Sequence, residues 1–197
     1  MNEILSELFS SKIRAAVLEH MLPRPHVGYS LTDLSRLLDL PISSLQHECY
    51  KLERIGVVKA RRDGNSRRYR VNPDCVVLKE LTALIVVAIG YGPALQASME
   101  RIPGLDAAFL AASVPLSSEA HQAGGSIPLV LIGEISLEEI DAAQERVTKL
   151  LGLAPGRIEA TFYGSGDWRT RLAQRNAYVV RLVSGGRTDL LGDILNP

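Results

Sequence analysis

Along residues 4–21 apolar side chains return every three or four positions: Ile4, Leu5, Leu8, Phe9, Ile13, Ala16, Val17 and Met21, with His20 beside them. That spacing predicts one amphipathic helix, ended by Pro23 and Pro25, which have no N–H to continue it. His26 to Tyr29 reads as a short extended piece. Ser30-Leu-Thr-Asp33 then has the form of a capping box, with Ser30 as the cap and Asp33 in the positive first turn. Leu31, Leu34, Leu37 and Leu38 predict the inward stripe of a second helix, and Asp39-Leu-Pro-Ile the turn after it. Leu45, Cys49, Leu52 and Ile55 give a third helix its inward face, and Gly56 its stop. Val57 to Arg62 follows as a strand, Asp63-Gly-Asn-Ser66 as a turn and Arg67 to Val71 as the returning strand, stopped by Asn72-Pro73. Asp-Gly is a hairpin signal because its positive-φ conformation matches the strand twist.

After the hairpin the pattern changes twice. Val76 to Ala88 is apolar on nearly every side, which predicts a helix buried on most faces, between domains or between subunits. Gly90-Tyr-Gly-Pro93 breaks it and Ala94 to Ile102 forms another. Strands and helices then alternate: strand Leu105–Ala112, strand Ile127–Ile132, helix Leu137–Leu151 capped by Ser136, strand Arg157–Tyr163, helices Asp167–Ala173 and Asn176–Val183, and a short segment Thr188–Leu191. The expected class is α+β. A winged helix-turn-helix domain spans 1–74, linking and dimerisation helices 75–104, and a small α/β domain 105–197.

Net charge sharpens this division. The chain carries 22 Lys/Arg and 22 Asp/Glu, but residues 1–75 hold twelve against nine and residues 76–197 ten against thirteen. Between Ser43 and Arg70 the ratio is eight to three. A local basic segment on a neutral chain is the electrostatic footprint of a small DNA-reading module. The chain has no apolar run of the ~18 residues needed to cross a bilayer. Its first residues, Met-Asn-Glu-Ile-Leu-Ser-Glu, lack the regions of a signal peptide, so a cytoplasmic location is expected. Two cysteines, Cys49 and Cys75, have no neighbouring His or Cys and read as ordinary buried or half-buried thiols, with a redox sensor as the alternative.

Helix, capped helix, turn, helix and Arg-rich hairpin, in that order, resemble the ArsR-like winged-helix regulators. Leu34-Ser-Arg-Leu-Leu-Asp-Leu-Pro-Ile-Ser-Ser-Leu and Leu52-Glu-Arg-Ile-Gly-Val-Val carry the resemblance. The helix-turn-helix lacks the Cys pair of the metal-sensing members, so no metal or cofactor is expected. If Leu45, Cys49, Leu52 and Ile55 face inward, then Ser43, Ser44, Gln46, His47, Tyr50 and Lys51 face outward. A helix fits the major groove and reads base edges from its N-terminal side chains. Ser43 stands at that end, and Ser44, Gln46 and His47 are the candidates for base reading. Tyr50, Lys51 and Arg54 are candidates for phosphate contact. Wing arginines Arg62, Arg67 and Arg68 are placed on the backbone or in the minor groove. Such regulators commonly dimerise through the helix after the wing, so a homodimer on double-stranded DNA is implied.

The second half resembles the minimal nucleotidyltransferase-like domain, through Leu129-Val-Leu-Ile-Gly-Glu134, Glu159-Ala-Thr-Phe-Tyr163 and Trp168-Arg-Thr-Arg-Leu-Ala. Active members carry a Gly-Ser near the first strand's end, where this chain has Ala112-Ser113. They carry an Asp-x-Asp on the second strand, where it has Ser126-Ile-Pro128. Phosphoryl transfer depends on carboxylates that hold Mg²⁺ against the phosphates; Ser and Pro cannot do this, and Glu159 alone is insufficient. No enzyme activity is expected. Gly124-Gly125-Ser126 reads as a loop, with anion binding by its amides as the alternative. The expected function is a sequence-specific, dimeric transcription regulator, expected to be a repressor, with room for a small-molecule or nucleotide effector. The rivals are an active nucleotidyltransferase and an antitoxin-like or adaptor protein whose wing binds protein.

Overall fold

The computed structural model describes residues 2–64, 66–112 and 126–197. They form an α+β chain of two compact units, Met1–Gly90 and Tyr91–Pro197. Ser113, Gly124 and Gly125 lie outside the described residues.

In the first unit the opening pattern builds two helices rather than one: α1, Glu3–Leu8, and α2, Lys12–Met21. The break is local. Ser10 takes a left-handed φ of 51°, and the Ser11 side chain accepts a hydrogen bond from the Arg14 N–H, restarting the helix with a cap. Periodicity carries across such a joint because both helices bury into the same core. β1, Tyr29–Ser30, leads into α3, Leu31–Leu38. The capping box on α3 is complete: the Ser30 hydroxyl accepts from the Asp33 N–H, and the Asp33 carboxylate accepts from the Ser30 N–H. These hydrogen bonds hold the Asp33 carboxyl below its ordinary value. Leu31, Leu34 and Leu38 pack into the core. Leu37 does not, because it sits one residue from Leu38, about 100° round the helix, and it is exposed.

Asp39, in the left-handed region, closes α3 and starts the turn into α4, Ile42–Arg54. Leu45, Cys49 and Leu52 are fully buried. Ile55, expected beside them, is exposed. It caps the helix end, the positive-φ Gly56 turns the chain there, and Val57 and Val58 take the place in the core. The wing is β2, Val58–Asp63, paired antiparallel with β3, Ser66–Val71. β1 adds a third strand, Tyr29 opposite Tyr69 and Ser30 opposite Arg68. Together α3, α4 and this sheet make a winged helix-turn-helix. The following helix, α5, Leu78–Ile89, packs on the same core through Leu78, Leu81, Ile85, Ala88 and Ile89. Its burial is one-sided: Val76, Val77, Leu84 and Val87 are exposed, although the sequence pattern is apolar all round.

The second unit opens with α6, Tyr91–Met99. Its four-stranded sheet has the order β6-β5-β4-β7, from β4, Leu105–Leu110, β5, Ile127–Gly133, β6, Ile158–Tyr163, and β7, Thr188–Leu191. β4 runs antiparallel to β5 and β7. β5 and β6 are parallel, joined through α7, Leu137–Leu150, which Ser136 caps. α8, Ser165–Ala173, and α9, Ala177–Ser184, follow β6. Trp168 anchors the core on Phe109 and Tyr163, and its indole N–H donates to the Ile194 carbonyl at 2.7 Å. β4 and β5 meet at Gly104 and Gly133, where a Cβ on Gly133 would stand 2.1 Å from the Gly104 carbonyl oxygen. Both glycines have positive φ, so only glycine suits either site. Residues 75–104, read in sequence as a linking pair, divide at Gly90 between the two units.

Candidate nucleic-acid interface

α4 is held from below by an ion-pair network that its sequence does not advertise. Glu48 is buried among the inward residues of the helix. Its carboxylate accepts from the Arg14 Nε at 2.8 Å and from the Lys51 Nζ at 3.1 Å. Burial opposes the charge, but the hydrogen bonds from Lys51 and Arg14 prevail and hold the carboxyl below its ordinary value. Next to it, burial together with the negative charges of Glu48 and Glu53 pushes the Cys49 thiol up to about 12. Cys49 is therefore a protonated, shielded thiol at neutral pH and a poor nucleophile.

With its underside fixed, α4 presents Ser43, Gln46, His47 and Tyr50 outward, all exposed. Together with Arg67 and Tyr69 of β3 these residues line one open cleft of about 460 Å³ between helix and wing. Strand pairing explains which wing residues join it. Arg62 lies opposite Arg67, and Arg61 opposite Arg68. Paired residues share a face and successive residues alternate, so Arg62 and Arg67 point to the α4 side together with Tyr69. Arg61, Arg68 and Arg70 take the other face. Tyr69 is buried at its ring, and the Arg67 guanidinium stands 5.6 Å from that ring's centroid.

Each arginine in this region has a different degree of freedom. Arg67 donates to Glu53 of α4 at 2.5 Å, which bridges wing and helix. Arg68 donates to the Gly28 carbonyl at 3.1 Å and lies within 3.3 Å of Asp33 and 3.2 Å of Asp63. It ties β3 to β1 and to the capping box. Arg70 donates to the Pro25 carbonyl, and Lys59 pairs with Asp74. Arg54, Arg61 and Arg62 are exposed and form no ion pair with the described residues. Of the sequence candidates, the cleft gathers Ser43, Gln46, His47, Tyr50 and Arg67. Ser44 is half-buried beside it on α4, and Lys51 is committed to Glu48. Arg54 and Arg62 are open cations flanking the cleft, and Arg68 is a structural strut on the far face. The sequence candidates did not include Glu53 and Tyr69. The alternation of β3 was the available signal for Tyr69, whereas Glu53 is visible only once α4 and the wing are side by side.

In the second unit Ser126 is exposed just before β5, and Pro128 is the second residue of that strand, opposite Glu159 on β6. Pro128 keeps its carbonyl in use, accepting from the Ala111 N–H. Among the described residues no group of three or more His, Cys, Asp or Glu side chains is placed to hold a metal ion. No single helix among them is long and apolar enough to cross a membrane.

No protein-family model matches the chain, and no curated protein matches its sequence. Among solved structures, reduced HlyU from Vibrio cholerae N16961 is similar over 43% of this chain and 80% of its own, at 24% identity and a TM-score of 0.33. That likeness is too slight to carry an argument about function.

Proposed function

We propose that the first unit reads double-stranded DNA and that the chain is a sequence-specific transcription regulator. The observation that carries this is the cleft between α4 and the wing, where Ser43, Gln46, His47 and Tyr50 share a wall with Arg67 and open arginines flank it. Short polar side chains at the start of a protruding helix suit base edges in the major groove. Arg54 and Arg62 suit phosphates on either side. Gln46 pairs bidentately with adenine, and His47, one position on, reaches the neighbouring base pair. The protein acts as a dimer in this reading, joined through the apolar side chains that α5 leaves exposed, Leu84 and Val87, with Val76 and Val77 before them. Single exposed apolar residues are ordinary, but four along one helix and its approach favour a covering partner.

The second unit, in the same proposal, is a nucleotidyltransferase-like domain without catalytic function; the sequence resemblance supports this, because it aligns Ser126 and Pro128 with the metal-binding carboxylates of active members. It serves as a regulatory or structural appendage. The test of the reading function is a selection from random DNA with the full chain and with Gln46→Ala and His47→Ala. Each substitution should relax the preference at one position of each half-site, at a cost of about 1–3 kcal/mol, and leave the salt dependence unchanged. Identical motifs for all three proteins would remove the start of α4 from recognition.

A further inference from the structure

The second unit is acidic as a whole, with nine Lys/Arg and twelve Asp/Glu between residues 91 and 197. Its charges are nonetheless segregated. Residues 168–188 hold five arginines, Arg169, Arg171, Arg175, Arg181 and Arg187, and no carboxylate. This stretch begins inside α8, just after Asp167, and runs through the following turn and α9 to the first residue of β7. Val179 and Leu182 take the buried face of α9, which leaves Tyr178 and Arg181, three residues apart, on its outer face. Arg175 stands at the turn just before, exposed and in the left-handed region with φ 51°.

Two of the five arginines are already paired: Arg171 with Asp167 at 2.7 Å and Arg187 with Asp189 at 2.9 Å. Arg169, Arg175 and Arg181 are exposed and form no ion pair with the described residues. Aromatic rings lie among these cations. The Arg171 guanidinium stands 5.5 Å from the centroid of Tyr163. Tyr178, on the outer side of α9, is 46% exposed.

We propose that this α8–α9 face is a second nucleic-acid contact, separate from the cleft on α4, which holds phosphodiester groups on Arg175 and Arg181 and stacks a base or sugar on Tyr178. The chemistry favours phosphodiesters over other anions. All five cations are arginines, whose planar fork matches phosphate oxygens bidentately, and an exposed ring among cations is the arrangement that follows a nucleic-acid backbone. The inference does not depend on the α4 cleft, and it adds a contact that a single winged helix does not have. Duplex and single strand offer the same phosphodiester chemistry. They differ at Tyr178, since stacking needs an unpaired base.

The experiment uses the full chain and labelled random-sequence oligonucleotides, single-stranded and duplex, titrated between 50 and 200 mM salt. Arg175→Asn with Arg181→Ala is the first pair of substitutions, Asn being tolerant of the left-handed backbone. The slope of log affinity against log salt should fall by about 1.8 for duplex or about 1.4 for single strands, while Arg181→Lys keeps it. Arg169→Gln with Arg181→Gln is the second pair, in case the first disturbs the turn. A loss at Tyr178→Ala confined to single strands supports the stacking, whereas a loss of slope on duplex alone, with Tyr178→Ala without effect, would overturn it. Unchanged affinity and slope in both pairs would overturn the proposal, as would equal competition by polyglutamate of the same charge. If Arg62→Glu has no effect while the α9 substitutions do, the α4 reading fails and this one stands. The converse result separates them the other way.

Discussion

Arg54→Glu combined with Arg62→Glu is expected to weaken DNA binding by on the order of a hundredfold near 0.1 M salt and to lower the salt slope by about 1.8. The two positions follow from the structure rather than from charge density. Lys51 is occupied by Glu48 and Arg67 by Glu53, so each must exchange one partner for a phosphate and gains little net. Arg68 is bound to the Gly28 carbonyl, Asp33 and Asp63, and its removal should lower the melting temperature more than the affinity. Arg54 and Arg62 have no described ion pair to give up, so their full charge is available to DNA. The selected motif should not change, because phosphate contacts position the protein and base contacts specify the sequence. Binding that is unchanged in affinity and slope would show that the duplex lies elsewhere on the first unit.

Glu48→Gln is expected to destabilise the first unit by about 2–3 kcal/mol at pH 7, the range for neutralising a buried carboxylate that accepts from two half-buried cations. Glu48 is 6% exposed and holds both Arg14 and Lys51, so the neutral amide removes the negative charge and sets an NH2 donor against one of the two cations. The sign of the pH dependence follows from the lowered carboxyl. The stabilisation is fully present above the unfolded value, near 4.3, and is lost as pH falls through the lower folded value. Denaturant midpoints of the two proteins should therefore differ at pH 7 and converge in acid below about pH 4. A gap that persists at low pH would mean that Glu48 contributes by packing and not by charge.

The fold was largely legible because its local signals agree. The Ser30–Asp33 box and the Gly56 stop each act within a few residues, and the structure contains both. What the sequence hid is either rotational or long-range. Leu37 and Ile55 are apolar but lie off the buried stripe, a difference of one residue in helical phase. The joint at Ser10 is invisible to periodicity because both helices feed one core. The candidate site was legible for Ser43, Gln46, His47 and Tyr50, since those positions are the complement of the buried stripe of α4. The state of each arginine was not, because Arg67–Glu53 and Arg68–Asp33 join residues 14 and 35 positions apart. Only the strand register decides that Arg62 faces α4 while Arg68 faces away.

The central claim is that the cleft between α4 and the wing reads DNA sequence, and the most direct measurement is selection of random duplex by the wild-type chain followed by titration of the winning sequence against salt. An enriched motif with two-fold symmetry is expected, bound at least ~10³-fold more tightly than random duplex. Log affinity should also fall linearly with log salt. No enrichment over random duplex, with no salt-dependent affinity at any concentration tested, would contradict it.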